Sequence, residues 1–252
     1  MVKCWAKTLG GCCNIQSREH YLSKALWEGN EITVKGLWNQ TRTVGLQALT
    51  AKNLCKTHNE LLSPLDSEAK RVFDTITELY RIQEVRQALT RTKKWSVVNH
   101  EISGSLFERW TAKFLVGFFY VFGKDKLWHL TQTGPLEPPP PVVEAIFGLK
   151  PFDVPMGLYM AYDVGDRHEP GPGVDIAPLF HPDDRGLVGA DLEFRGFQFV
   201  TWLSKEDPRT YDISLSAANR TFGPSGSELM YHPRKLKFRI NKSISQTLEF
   251  KW

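Results

Sequence analysis

The residues of this chain best suited to chemistry are four cysteines, Cys4, Cys12, Cys13 and Cys55, and a histidine three residues after the last, His58. All four cysteines fall within the first 55 of 252 residues. The opening Met-Val-Lys-Cys-Trp-Ala-Lys has no apolar secretion segment, so clustered cysteines beside a histidine point to metal before disulfides. The plain alternative is that they are small buried hydrophobes. Cys55-x-x-His58 has the spacing of a zinc knuckle, because two intervening residues let a tight turn aim both side chains at one tetrahedral ion. Together with Cys4 and one of Cys12 and Cys13 it makes a Cys3His set without an open position, as in structural sites. Such a site can supply on the order of 10 kcal/mol of folding free energy.

These ligands need elements to hold them. Leu9-Gly10-Gly11-Cys12-Cys13-Asn14 is turn-forming, and its glycines let backbone approach a bound sulfur. Glu31 to Leu37 and Val44 to Leu49 alternate as two short strands joined across Trp38 to Arg42. From Ser63-Pro64 the period becomes helical. Leu65, Ala69, Val72, Phe73, Ile76, Leu79, Tyr80 and Ile82 recur at three- and four-residue steps, with Ser63 placed to cap. A second helix is expected from about Ser105 to Phe122. Its apolar run, Phe114 to Phe122, is nine residues between Lys113 and Lys124, too short for the ~20 that a bilayer requires. No membrane partner is expected, and the compartment expected is the cytoplasm. Pro135 to Pro141 holds five prolines in seven residues and is read as a boundary that ends regular structure. Beyond Pro151, Gly157 to Tyr162, Leu192 to Leu203 and Leu236 to Ile240 alternate as strands.

The order Cys…Cys, then Ser17-Arg18-Glu19-His20, then a hairpin, then Leu54-Cys55-Lys56-Thr57-His58-Asn59 resembles HNH-type nucleases, in particular their zinc-stapled, endonuclease VII-like branch. The longer strings Ser-Arg-Glu-His-Tyr-Leu-Ser-Lys-Ala-Leu and Leu-Cys-Lys-Thr-His-Asn-Glu-Leu-Leu-Ser-Pro-Leu-Asp are similar to those of uncharacterised bacterial HNH-like proteins. The resemblance covers residues 4–66. It implies a structural zinc on Cys4, Cys12, Cys55 and His58, with Cys13 the alternative to Cys12. It further implies a catalytic divalent cation, Mg2+ or Mn2+, on Glu19 and Asn59, and His20 as general base. The types suit phosphodiester hydrolysis: an imidazole can deprotonate water near neutral pH, and oxygen ligands hold the hard cation that neutralises the leaving oxygen. The chain departs from the family pattern in spacing its first cysteines seven or eight residues apart. It also has Glu for Asp before the histidine and His58 for a usual cysteine.

The fold expected is α+β. A zinc-bound ββα-metal, treble-clef-like module would span 1–66, with a helical region packed on it at 67–134. A Pro-rich linker with a short helix would follow at 135–150, then a β-rich domain of unassigned role at 151–252. The function implied is a metal-dependent endonuclease acting on nucleic acid, DNA ahead of RNA, in phage defence or mobile-element biology. The rival is a non-catalytic zinc module that binds nucleic acid or a protein partner; a homodimer stays open. Net charge is +4, and residues 1–102 carry 15 Lys/Arg against 10 Asp/Glu, so the positive excess lies with the motif.

Each motif residue also has a plainer role. His20 could buttress the following helix, Glu19 could pair with Arg18 or Lys24, and Asn59 could be a turn residue. Arg18, Lys24 and Lys56 could be solvated cations, and Asp66 could serve only the helix dipole. His181-Pro182-Asp183-Asp184 reads as a surface turn. Lys235, Lys237 and Arg239, alternating with Leu236, Phe238 and Ile240, read as lysines guarding a strand edge.

Overall fold

The computed structural model describes residues 3–20, 22–27, 29–35, 41–89, 97–122, 138–162, 174–180, 187–210, 213–215, 220–222, 228–239 and 245–252. In the N-terminal part, β1 (Glu19–His20), β2 (Glu31–Lys35), β3 (Arg42–Gly45) and β4 (Thr50–Ala51) precede α1 (Lys56–Leu61) and α2 (Ser63–Ala88). Then come β5 (Asn99–Ser103), α3 (Gly104–Phe122) and α4 (Pro140–Ile146). The remainder is β6 (Gly157–Tyr162), β7 (Val174–Phe180), β8 (Leu187–Phe194), β9 (Phe197–Trp202), β10 (Ile213–Leu215), β11 (Arg220–Phe222), β12 (Glu228–Tyr231), β13 (Lys235–Arg239) and β14 (Ser245–Lys251).

The α2 stripe is buried over most of its length: Leu65, Ala69, Val72, Phe73, Ile76 and Leu79 are all within 1% of complete burial and Tyr80 is 8% exposed, whereas Ile82 is only half-buried. It packs on α3, where Phe107, Trp110, Phe114, Leu115, Val116 and Phe118 are buried around much of the circumference. The two helices lie against a seven-stranded sheet of order β12-β6-β9-β8-β7-β2-β3, with Phe73 stacked on Phe194 at 4.6 Å and Phe107 edge-on to Phe199 at 5.5 Å. The central strands are covered on both sides. On β6, Leu158 and Met160 join the main core, whereas Tyr159 and Ala161 face a second cluster with Val200 and Trp202.

Chain order and spatial order differ. β2 pairs in parallel with β7 (Val34↔Val174), and β5 pairs in parallel with β14 (Ile102↔Phe250). One hydrophobic cluster runs from Cys4 to Phe250, so residues on both sides of the Pro-rich segment share a core. Among the described residues, no helix is long and apolar enough to cross a membrane.

Several local expectations are corrected. Ser63 is the first residue of α2 and Leu62 its N-cap, without a side-chain capping bond, because α1 runs almost directly into α2. The strand expected from Val44 ends at Gly45, and Leu46–Ala48 form a 3-10 turn. Leu192 to Leu203 is not one strand but the middle of a hairpin, turning at Arg195 and Gly196 with φ of 53° and 74°, the left-handed values such a turn needs. Pro140 and Pro141 begin α4, where a missing N–H has no intrahelical partner to lose. Pro135, Ile240 and His181 to Asp184 lie outside the described residues.

Candidate metal centre

Three short segments converge beside α1. The bridge Gln16↔Cys55 and the bonds Ser17 N–H to Leu54 O (3.0 Å), Lys56 N–H to Ile15 O (2.9 Å) and Trp5 N–H to Asn53 O (3.0 Å) lace residues 4–17 to 53–56. Gln16 adds side-chain bonds to the carbonyls of Lys3 and Leu54, at 2.9 and 2.7 Å. Cys55 is the N-cap of α1 and His58 lies in its first turn, so the helix start points both at one spot. Phe147, just after α4, covers it, with its ring 5.4 Å from that of His58 and 5.8 Å from Trp5.

There Cys4, Cys12, Cys55 and His58 bring their ligand atoms within 4.8 Å of one another. His58 Nδ1 lies 3.2, 3.5 and 3.3 Å from the sulfurs of Cys4, Cys12 and Cys55. Zn–S and Zn–N bonds of about 2.3 and 2.0 Å at tetrahedral angles would set sulfur and nitrogen about 3.5 Å apart. The set could hold a metal ion and is consistent with structural zinc. Its acid–base state fits too. Burial pushes the Cys4 thiol up to about 12 and raises Cys12 as well, so without a cation these two thiols stay protonated at neutral pH. A divalent ion would displace those protons. Burial lowers the pKa of His58, against a backbone hydrogen bond to Gly10, and keeps the imidazole in its ligating neutral form.

Cys13 stands outside the set. Its sulfur accepts the Thr57 N–H at 3.5 Å and donates to Ile15 O at 3.6 Å, and Thr57 holds the thiol down at about 6.

Of the residues tied by resemblance to a second, catalytic cation, Glu19 is not among the four that gather here, and Asn59 follows His58 on α1. Comparison with family models, characterised proteins and solved structures gives no match. His20 pairs with Thr50 across β1 and β4; it is half-buried, and among the described residues its Nε2 has no hydrogen-bond partner. Burial and Lys24 lower its pKa while Asp66 opposes them, which leaves a neutral imidazole at neutral pH. Asn59 on α1 donates from Nδ2 to Ser17 Oγ at 2.9 Å, leaving its amide oxygen as the atom able to ligate.

Glu19 faces inward. It is 4% exposed, and its Oε1 lies 3.0 Å from the ammonium of Lys113, itself 2% exposed. Lys113 also donates to both oxygens of Asp66, at 2.9 and 2.8 Å, and Asp66 accepts from Ser23 Oγ. Trp110 Nε1–H donates to Ser23 Oγ at 3.4 Å. Burial works against the Lys113 charge, but the two carboxylates outweigh it and its pKa is raised. Sequence reasoning missed Lys113. Its only signal was a cation bordering the apolar run of α3, and nothing local says which carboxylates it meets. Asp66, read as serving the helix dipole, is one of them.

Arg18 and Lys24 are exposed, and Lys56 pairs loosely with Glu60 at 3.7 Å. Lys235 and Lys237 are exposed and Leu236 and Phe238 buried on β13, an edge strand of the three-stranded sheet β13-β14-β5, as the alternation required.

Proposed function

We propose that this protein is a zinc-stapled, HNH-type endonuclease acting on DNA, with His20 as general base. The observation that supports the reading is the Cys/His cluster at the start of α1, the helix that bears Asn59, with Asn59 bonded to Ser17 shortly before His20 in the chain. In this reading the four-ligand cluster takes no part in hydrolysis, having no open position.

His20 takes the proton from the attacking water; its neutral imidazole at neutral pH is the form that task needs. Ser17 orients the Asn59 amide so that its oxygen is presented. A Mg2+ or Mn2+ ion held by that oxygen would neutralise charge developing on the phosphate. One or two protein ligands suffice for such an ion, which keeps several waters. A bound nucleic acid would meet the exposed Arg18 and Lys24 on either side of β1.

The second reading is a non-catalytic zinc module binding nucleic acid or a protein. It is favoured by the burial of the Glu19 carboxylate against Lys113, which withdraws the acidic residue of the motif from solvent.

The deciding experiment incubates zinc-loaded protein with plasmid DNA and Mg2+ or Mn2+, beside a His20→Ala control. Cleavage reduced by about 100-fold or more in the control, with zinc retained, is the expected result. No cleavage of plasmid, single-stranded or branched DNA by folded, zinc-loaded protein sinks the DNase reading. Cleavage of RNA alone moves the substrate to RNA.

A further inference from the structure

We propose that Glu19 takes the ammonium of Lys113 as its cation and ligates no divalent ion, so that the acidic residue of the motif is a lock between β1, α2 and α3. The proposal rests on the endonuclease reading only for what His20 does; the assignment of Glu19 stands on the pair itself.

Glu19 on β1 and Asp66 on α2 grip one ammonium, from α3, at 3.0 and 2.8 Å. At 2% exposure Lys113 has no water to turn to, so an ion that displaced it would strand a buried charge, which is among the costliest defects in a fold. The free oxygen of Glu19, Oε2, is buried and has no hydrogen-bond partner among the described residues. A divalent ion there would share one carboxylate with an ammonium and meet its repulsion. Such ions also need about six oxygen ligands, waters included, and a buried atom offers no solvent side to supply them. Among the described residues, Glu19 belongs to no grouping of three or more Cys, His, Asp and Glu side chains able to hold a metal.

The lock has a consequence for the residue that follows Glu19. β1 is two residues long and, among the described residues, pairs only with β4, so its strand pairing alone holds it weakly. The Glu19–Lys113 pair anchors it to α3, and Ser23, bonded to Asp66 and Trp110, anchors the segment three residues after His20. His20 thus sits on a strand fixed from both sides, and α3 completes the N-terminal motif.

The test uses the full-length, zinc-loaded protein and Mn2+ alone, titrated by electron paramagnetic resonance. Glu19→Gln is expected to bind Mn2+ within about twofold of the parent. So is Glu19→Gln/Lys113→Met, which replaces the ion pair by neutral groups of similar size and so remains informative if the single variant unfolds. A loss of about tenfold or more in either, with zinc retained, overturns the proposal. Urea unfolding supplies the positive arm. Lys113→Met should lower the folding equilibrium by about a hundredfold or more, and adding Glu19→Gln should restore about tenfold of it. If the second change restores nothing, the pair is not the lock and the assignment falls. Asn59→Ala separates the two claims. If Mn2+ binding is undetectable in the parent, or indifferent to Asn59, the metal-dependent reading fails while the assignment of Glu19 stands.

Discussion

Cys12 and Cys13 are adjacent and identical in type, yet only one sulfur reaches His58. Cys12 lies 3.5 Å from Nδ1, while Cys13 is turned toward the start of α1 and held by the Thr57 N–H. Successive side chains leave a backbone in different directions, so one turn can aim only one of the pair inward. Spacing limited the fourth ligand to these two positions; the choice needed the path of the Gly10–Gly11 turn, where both residues have positive φ. The expected outcome is asymmetric. Cys12→Ser should weaken zinc retention by more than about tenfold, whereas Cys13→Ser should leave it unchanged, as read by zinc release to a chelator. Equal losses would mean that the two sulfurs share the ion. At this scale Glu19 marks the limit of local reading. Its neighbours Arg18 and Lys24 were the obvious partners, and the observed one, Lys113, comes from α3.

At the scale of elements, periodicity located the start of α2 and both ends of α3 to within a residue, because a continuous buried stripe leaves a period that survives in sequence. The ends were less legible. Ser63-Pro64 has the look of a cap, but the preceding turn of α1 already bonds Leu62 N–H to Asn59 O and makes Leu62 the N-cap. Ser63→Ala should therefore change stability by less than about 0.5 kcal/mol, against the ~1 kcal/mol that loss of a true capping side chain costs. Urea denaturation decides it, and a cost near the larger figure would restore the cap. The Leu192–Leu203 run shows the same limit in strands. Both halves of a hairpin carry the alternation, and only Arg195-Gly196 betrays the turn.

For the whole molecule, the question is whether the N-terminal region stands alone. β2 lies between β3 on one side and β7 on the other, and α2 and α3 are covered by Phe194, Phe199 and Phe250. A fragment of residues 1–134 loses β7, β14 and those aromatics together. It should show no cooperative unfolding transition even when saturated with zinc, while the full chain shows one. A cooperative, zinc-dependent transition in the fragment would establish an autonomous module.

The sequence by itself determined the Cys/His set to within one residue, the two long helices, the β-rich character after residue 151 and the guarded edge of β13. Each is written locally, in spacing or period. Only the tertiary structure decided that Cys12 completes the set, that β2 and β5 join strands from beyond the Pro-rich segment, and that Lys113 claims Glu19. Those outcomes depend on which surfaces meet. Parallel pairing and buried ion pairs are made between segments distant in sequence, where no local pattern records the partner.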